Sequence, residues 1–374
     1  MLPFSLAVSL ACIAAVAASP FNSTAVTPPR KIGKRCTGTI ESLADVAAAQ
    51  ECTTINIAGF TVPAGQTFAI SAPDGAVISM TGQITFPFAA WAGPLMKISG
   101  NNLVFNGNNH NLDGQGASYW DGMGGNGGVE KPAPMVTLDM SGTFENVVVL
   151  NSPQRAIAIN TNGLTVSGVT VNNAAGAAAN SASAGKPAGA NTDGFDVAAS
   201  NIVIKNSVVT NQDDCLAINR GSNITFTGNS CTGGHGISVG SISSNTVVSG
   251  VTISNNVVTN NGNALRIKTD ATATGSTVSN IVYSGNTATG ITNFGVLIDQ
   301  SYPSTLGTPG TGVVISGVTF SGTNKIAVGS TGHRVEVNCG STSSCTGTWN
   351  FAGLTVTGGT GSTVKNAPVT GGSF

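Results

Sequence analysis

Four short strings hold the side chains of this sequence best suited to chemistry: Asn191-Thr192-Asp193, Asp213-Asp214, Gly234-His235-Gly236 and Arg266-Ile267-Lys268. Adjacent carboxylates push one pKa of the pair upward, which is how a carboxyl becomes a general acid at working pH. An imidazole beside them can hold or pass a proton. The intervals tie the strings together: 21 residues separate Asp193 from Asp214, and 21 more separate Asp214 from His235. Each of the three stands two places before an alternating apolar pair, Phe195/Val197, Leu216/Ile218 and Ile237/Val239.

A constant interval before short alternating runs is the pattern of stacked coils, in which equivalent residues lie ~4.8 Å apart. Asp193, Asp214 and His235 then form a column on one outer face, with Asp213 beside it and turned differently. The next coil is longer. Its strand, Ala264 to Lys268, sends Leu265 and Ile267 inward and Arg266 and Lys268 outward by period-two alternation. Three carboxylates, an imidazole and two cations converge on one patch.

The remaining chain supplies the scaffold. From about residue 54, runs of Val, Ile and Thr recur at intervals of about 20 to 30 residues, as in 164–171, 201–211 and 248–259. Asn206, Asn229, Asn256 and Asn286 punctuate them, and Asn tolerates the left-handed backbone of tight corners. Fifty glycines and 8% charged residues suit thin coils better than a helix-covered sheet. A β-sandwich is the structural alternative, but its hairpins do not place motifs at a constant interval. The expected fold is all-β, a parallel β-helix (solenoid) with a short N-terminal capping helix. That helix is expected over 39–51, N-capped by Thr39, with Ile40, Leu43, Val46 and Ala47 as its apolar stripe. Ala174 to Ala190 reads as an insertion at the rim of a cleft, without a role apart from Lys186. The stretch from Tyr302-Pro303 to Gly312 is a loop one coil beyond Arg266 and Lys268.

Residues 1–18 read as a signal peptide, too short and too closely followed by small residues to span a bilayer. Residues 19–35 read as a propeptide ending in the dibasic site Lys34-Arg35, which leaves 36–374 as a single catalytic domain. The whole chain has 15 basic and 16 acidic residues, a net charge of −1. The first 35 residues carry four of the basic ones and no acid, so the mature part has 11 against 16, or −5. Global charge gives no attraction to nucleic acid or an acidic membrane. Six cysteines remain after the leader: Cys36, Cys52, Cys215, Cys231, Cys339 and Cys345. An even number in a secreted chain implies disulfides, and sequential pairing is the simplest proposal. No CxxC pair occurs and there are three histidines, so neither a metal nor another cofactor is expected. Asn223-Ile224-Thr225 is a glycosylation sequon.

Singly, each polar residue has an ordinary explanation as a turn residue, a solvated corner or an outward strand charge. Their joint occurrence in register does not. His110, His333 and Asp299 lack that support and read as structural.

The strings Asn191-Thr-Asp-Gly-Phe-Asp196, Gln212-Asp-Asp-Cys-Leu-Ala-Ile-Asn219, Gly233-Gly-His-Gly-Ile-Ser238 and Arg266-Ile-Lys-Thr269, in this order, resemble those of polygalacturonases, family 28 of the glycoside hydrolases. The resemblance covers residues 36–374. It implies a right-handed parallel β-helix, secreted and monomeric, that hydrolyses α-1,4 bonds between galacturonic acid residues of de-esterified pectin by endo attack with inversion. It further implies that Asp213 is the general acid and that Asp193 and Asp214 activate the water. His235 tunes the acid, Arg266 and Lys268 bind a substrate carboxylate, and Asn191 and Tyr302 line the site. Coil spacing alone points the other way on stereochemistry. It sets carboxylates closer than the roughly 6.5–9.5 Å usual for inverting enzymes. Three other readings are an exo-acting polygalacturonase, a calcium-dependent pectate lyase and a non-catalytic solenoid. The lyase needs a metal-binding acid cluster and a basic proton abstractor, and the solenoid has no use for three acids in register.

Overall fold

In the computed structural model the described residues are 31–374. The expected leader and residues 19–30 of the expected propeptide lie outside them. Among the described residues, 32 short strands follow one another along the chain, and each of their ladders is parallel. Apart from those at the two ends of the stack, strands pair with the one a coil earlier and the one a coil later, so the chain winds into a right-handed parallel β-helix. Parallel pairing without connecting helices leaves the interior of the coil as the core, filled by inward side chains stacked coil upon coil.

One inward column runs Phe105, Phe144, Val166, Ile204, Phe226, Ile253, Tyr283 and Phe320 in strict register. Its aromatic members stack directly: Phe105 on Phe144 at 5.0 Å and Tyr283 on Phe320 at 4.7 Å between ring centroids. The sheet that bears the polar strings has two such columns. Phe195, Leu216, Ile237, Leu265 and Val296 are in register, as are Val197, Ile218, Val239, Ile267 and Ile298. All are buried. Period two therefore turns the residues between them, Asp196, Ala217, Ser238 and Arg266, to the outside.

The asparagines divide into two classes. Asn206, like Asn201, Asn223, Asn255 and Asn260, has the positive φ expected of a corner. Asn229, Asn256 and Asn286 do something else. With Asn324 they form a buried ladder in which the side-chain oxygens of Asn256, Asn286 and Asn324 each accept the backbone N–H and the side-chain N–H of the asparagine one coil before. Each side chain also donates to a backbone carbonyl, as Asn256 does to Phe226 O at 3.0 Å. The ladder pairs polar groups that a tight coil would otherwise bury unmade.

The N-terminal cap is smaller than the sequence suggests. Thr39 N-caps nothing; it lies in the strand Lys34–Ile40, opposite Asn56. Helix in this cap is confined to a 3-10 turn at Leu43–Asp45 and one α turn at Val46–Ala49. Pairing with Cys52–Ile57 and the Cys36–Cys52 bridge extend the segment that propensity alone would coil. Gly38 is required there, because a Cβ would lie 2.5 Å from Ala49 Cα. Lys34 and Arg35, the expected dibasic site, are exposed at the start of this strand. The three disulfides pair sequentially, as expected: Cys36–Cys52, Cys215–Cys231 and Cys339–Cys345. No helix among the described residues is long and apolar enough to cross a membrane.

Candidate active site

The backbone register holds beyond the strand ends. Gly194 N–H donates to Asp214 O, Cys215 N–H to Gly236 O and His235 N–H to Asp213 O. Asp193, Asp214 and His235 thus fall on successive coils at one position. Asn211 locks the turns from beneath, its side-chain N–H groups reaching both Thr192 O and Asp214 O at 2.9 Å. The Cys215–Cys231 bridge, beginning next to Asp214, fastens the same coil.

A cavity of about 540 Å³ opens here, lined by all eight residues singled out in the sequence: Asn191, Asp193, Asp213, Asp214, His235, Arg266, Lys268 and Tyr302. A second hollow of about 480 Å³ shares Asn126, Asn191, Asp213 and His235 with the first and includes Lys186. The Ala174–Ala190 stretch is thus part of the wall. It is bonded into place, Asn180 Nδ2 to Trp120 O at 2.9 Å and Gly122 N to Ala188 O at 2.8 Å.

The column is not a simple outer face. Asp214 is wholly buried, with Arg266 Nη2 at 2.5 Å from Oδ1 and Lys268 Nζ at 2.7 Å from Oδ2. Ser238 completes the knot, donating to Asp214 Oδ1 at 2.8 Å and accepting from Arg266 Nε at 3.0 Å. The two cations expected to face a substrate carboxylate therefore close on a carboxylate of the protein itself. A buried anion needs such partners. Lys268 also lies 5.1 Å from the centroid of the Tyr302 ring, a cation–π contact that fixes that tyrosine at the rim.

Asp213 has a different set of neighbours. His235 Nδ1 is 3.0 Å from its Oδ1, Asp214 N–H donates to the same oxygen at 2.8 Å, and Asn191 Nδ2 donates to Oδ2 at 3.0 Å. Burial raises the Asp213 pKa, but the His235 bond, the His235 charge and Lys268 more than offset it and hold the carboxyl below its usual value. The bond to Asp213 raises His235 in return, against its own desolvation. Asp193 goes the opposite way. Burial, then the charges of Asp213, Asp196 and Asp214, push it well above 3.8. The two carboxyls thus differ in proton affinity, Asp213 held down and Asp193 pushed up.

Asp196 was not singled out by the sequence. It falls on the outward column beside Ser238 and Arg266 and lines the cavity. Burial raises its pKa to about 6. Its Oδ2 lies 3.7 Å from Arg155 Nη1 and has no hydrogen-bond partner. The signal was present in the string Asn191–Asp196: alternation from Phe195 and Val197 turns Asp196 outward. Asp299, by contrast, is structural as expected. It accepts from Ser301, Leu306 and Asn338 and ties down the loop after Tyr302.

Asp213, Asp214 and His235 bring ligand-type atoms within 4.8 Å of one another, the spacing of a possible cation site. The Arg266 guanidinium and the Lys268 ammonium already on Asp214 repel a further cation there. The arrangement fits proton transfer instead.

Comparison with known proteins agrees with this geometry. The model of glycosyl hydrolases family 28 matches residues 52–372. The chain is similar to the endo-polygalacturonase of Sclerotinia sclerotiorum, 41% identical, with 97% of this chain and 94% of the relative covered. Endopolygalacturonase 1 of Colletotrichum lindemuthianum is 40% identical, with 89% and 90% covered. The solved structure of endopolygalacturonase I from Stereum purpureum, complexed with two galacturonates, superposes with a TM-score of 0.85 at 45% identity, covering 90% of this chain and 99% of that one. The fold, the site and these likenesses together place the chain in glycosyl hydrolases family 28.

Proposed function

We propose that this protein is an endo-acting polygalacturonase, hydrolysing internal α-1,4 bonds of polygalacturonate, with Asp213 as the acid and Asp193 and Asp214 as the groups that hold and deprotonate water. The observation that carries this reading is geometric: Asp193, Asp213 and Asp214 line one cavity together with His235, Arg266 and Lys268. The named relatives are endopolygalacturonases, and one of them was solved with galacturonate. Endo attack suits a site where two hollows meet at Asp213 and His235, because a polymer chain must run past the reacting bond in both directions.

Two protons are in play: Asp193, whose proton affinity is raised, carries one, and His235, hydrogen-bonded to Asp213, carries the other. Substrate filling the cavity strips water from His235, whose side chain is 46% exposed, and a desolvated imidazolium–carboxylate pair favours the neutral form. The His235 proton then passes to Asp213 and onward to the glycosidic oxygen as the bond breaks. With Asp213 neutral, the repulsion that raises Asp193 falls, so Asp193 gives its proton to solvent and accepts the proton of the attacking water; His235 takes a proton back from solvent as the products leave. Asp214, fixed by Arg266, Lys268 and Ser238, orients that water. A substrate carboxylate shares the two cations with Asp214, and Tyr302 flanks the sugar.

The water is proposed to attack opposite to the leaving group, so the product inverts. Proton NMR of the first reducing ends tests this: β-anomer appearing before mutarotation is expected, and α-anomer would make the enzyme retaining. Secretion, removal of residues 1–35 and a glycan on exposed Asn223 complete the proposal for a protein meeting its polymer outside the cell. N-terminal sequencing and mass measurement of the secreted protein check those points.

A further inference from the structure

We propose that the loop from Asp121 to Lys131 is a positioning strap for the acid: pinned by a buried ion pair, it orients the side-chain amide of Asn191 so that its N–H faces Asp213. The inference rests on Asp213 being the acid.

The pin is the Lys131–Asp121 pair, 2.9 Å long, with the lysine side chain 2% exposed. Lys131 also donates to Val129 O at 2.9 Å. Asp121 accepts backbone N–H groups from Met123 and Val129 at 2.9 and 3.1 Å. Burial alone would raise the Asp121 pKa, yet Lys131 and these donors hold it below its usual value. A loop carrying five glycines closes on its own ends through this pair rather than through a core. A buried ion pair is a poor source of stability but defines geometry well.

What the strap presents is the backbone N–H of Gly125, which donates to Asn191 Oδ1 at 3.0 Å. An amide has one accepting and one donating end. With Oδ1 taken by a donor, Nδ2 must face Asp213 Oδ2, and it does so at 3.0 Å. The fit is tight: a Cβ at Gly124, where φ is +56°, would collide with Asn191 Oδ1. The strap thus reaches Asp213 through a single side chain, 66 residues away in sequence from its contact.

The consequence is acid strength. A donor on a carboxylate favours the ionised form, so a released Asn191 amide leaves Asp213 a weaker acid. Asp213 also feels His235, Asp193, Asp196, Asp214 and Lys268, with Arg266 acting on His235. None of these touches the strap's ion pair, so their contribution stays constant when the strap alone is altered.

The test is the pH dependence of kcat for the full-length enzyme and two strap variants, each made with and without Asn191→Ala. The double variant Asp121→Ala/Lys131→Met removes the pin without leaving a buried charge. Gly124→Ala leaves the pin and pushes the strap off Asn191. The basic limb of the profile is expected to move up by about half a unit or more in either strap variant, and to show no further move in the Asn191→Ala background. If one strap variant fails to fold by circular dichroism, the other decides. An unmoved limb, or an equal move without Asn191, would overturn the strap. Asp213→Asn is measured alongside. If it keeps its turnover, the acid assignment has failed; if it is inactive and the limb stays fixed, the strap alone has failed.

Discussion

His235 takes Asp213 as its partner, not Asp214, although Asp214 precedes it on the same column of the β-helix. The Nδ1–Oδ1 distance is 3.0 Å, and the two residues are 22 apart in sequence. The choice follows from Asp214 being fully occupied by Arg266, Lys268 and Ser238. One adjacent pair of aspartates is thereby split into a fixed anion and a group whose proton can move.

Removing the movable proton should remove the reaction. Asp213→Asn is expected to lower kcat by about 10²–10⁴-fold with an unchanged far-ultraviolet spectrum, the range usual for loss of an acid–base group. Turnover within tenfold of wild type would contradict the assignment.

Stability should fall as pH rises through the site's titrations. His235 has a raised folded pKa, so the stability it adds is fully present below 6.5 and disappears as pH passes its folded value. Asp193 is also raised, so its contribution is complete below 3.8 and lost on the way up. Asp213 is lowered, and its contribution is present above 3.8 and lost as pH falls through its folded value. Chemical denaturation midpoints should therefore peak in weakly acidic solution. In Asp193→Asn the decline above pH 3.8 should be shallower.

Lys268→Met leaves Asp214 with Arg266 and Ser238 as its side-chain partners and frees Tyr302 from its cation. KM for polygalacturonate should rise about tenfold, equivalent to about 1.4 kcal/mol. Highly methyl-esterified pectin should be less affected. Equal effects on both polymers would remove the role in carboxylate binding.

The asparagine ladder should be costly to interrupt. Asn256→Ala leaves Asn229 N–H and Asn229 Nδ2 without their shared acceptor, and Phe226 O without its side-chain donor. At about 1–3 kcal/mol for each buried group left unpaired, several kcal/mol of destabilisation are expected from urea unfolding. A loss under about 1 kcal/mol would mean that water replaces the amide.

Much of the architecture could be read from residues because a solenoid writes its register into the sequence. The 21-residue step from Asp193 to Asp214 to His235 is a coil length, and it survives as backbone hydrogen bonds between coils. Arg266 and Lys268 were placed together by period-two alternation, and they do share the site. What alternation does not convey is depth. Asp214 lies beneath the two cations, and no pattern of apolar residues distinguishes a buried anion from an exposed one. Nor does it convey partners: Asn256 reads as a corner residue by type, and only the stacking of coils makes it a rung. The capping helix was overestimated because a local stripe at Ile40, Leu43 and Val46 competes with a strand pairing that becomes visible only when Cys36 meets Cys52. The strap leaves no trace in periodicity, since Asp121 and Lys131 are ordinary loop charges until both are buried together.

The most direct test of the function is digestion of polygalacturonic acid without added metal, in chelator, following viscosity, reducing ends and ultraviolet absorbance of unsaturated products together. Endo hydrolysis predicts an early fall in viscosity at few reducing ends, with saturated oligomers and no new absorbance. Slow viscosity loss with monomer release would mean exo attack. An absorbing product would mean elimination rather than hydrolysis, and an unchanged polymer would leave the β-helix without the activity proposed for it.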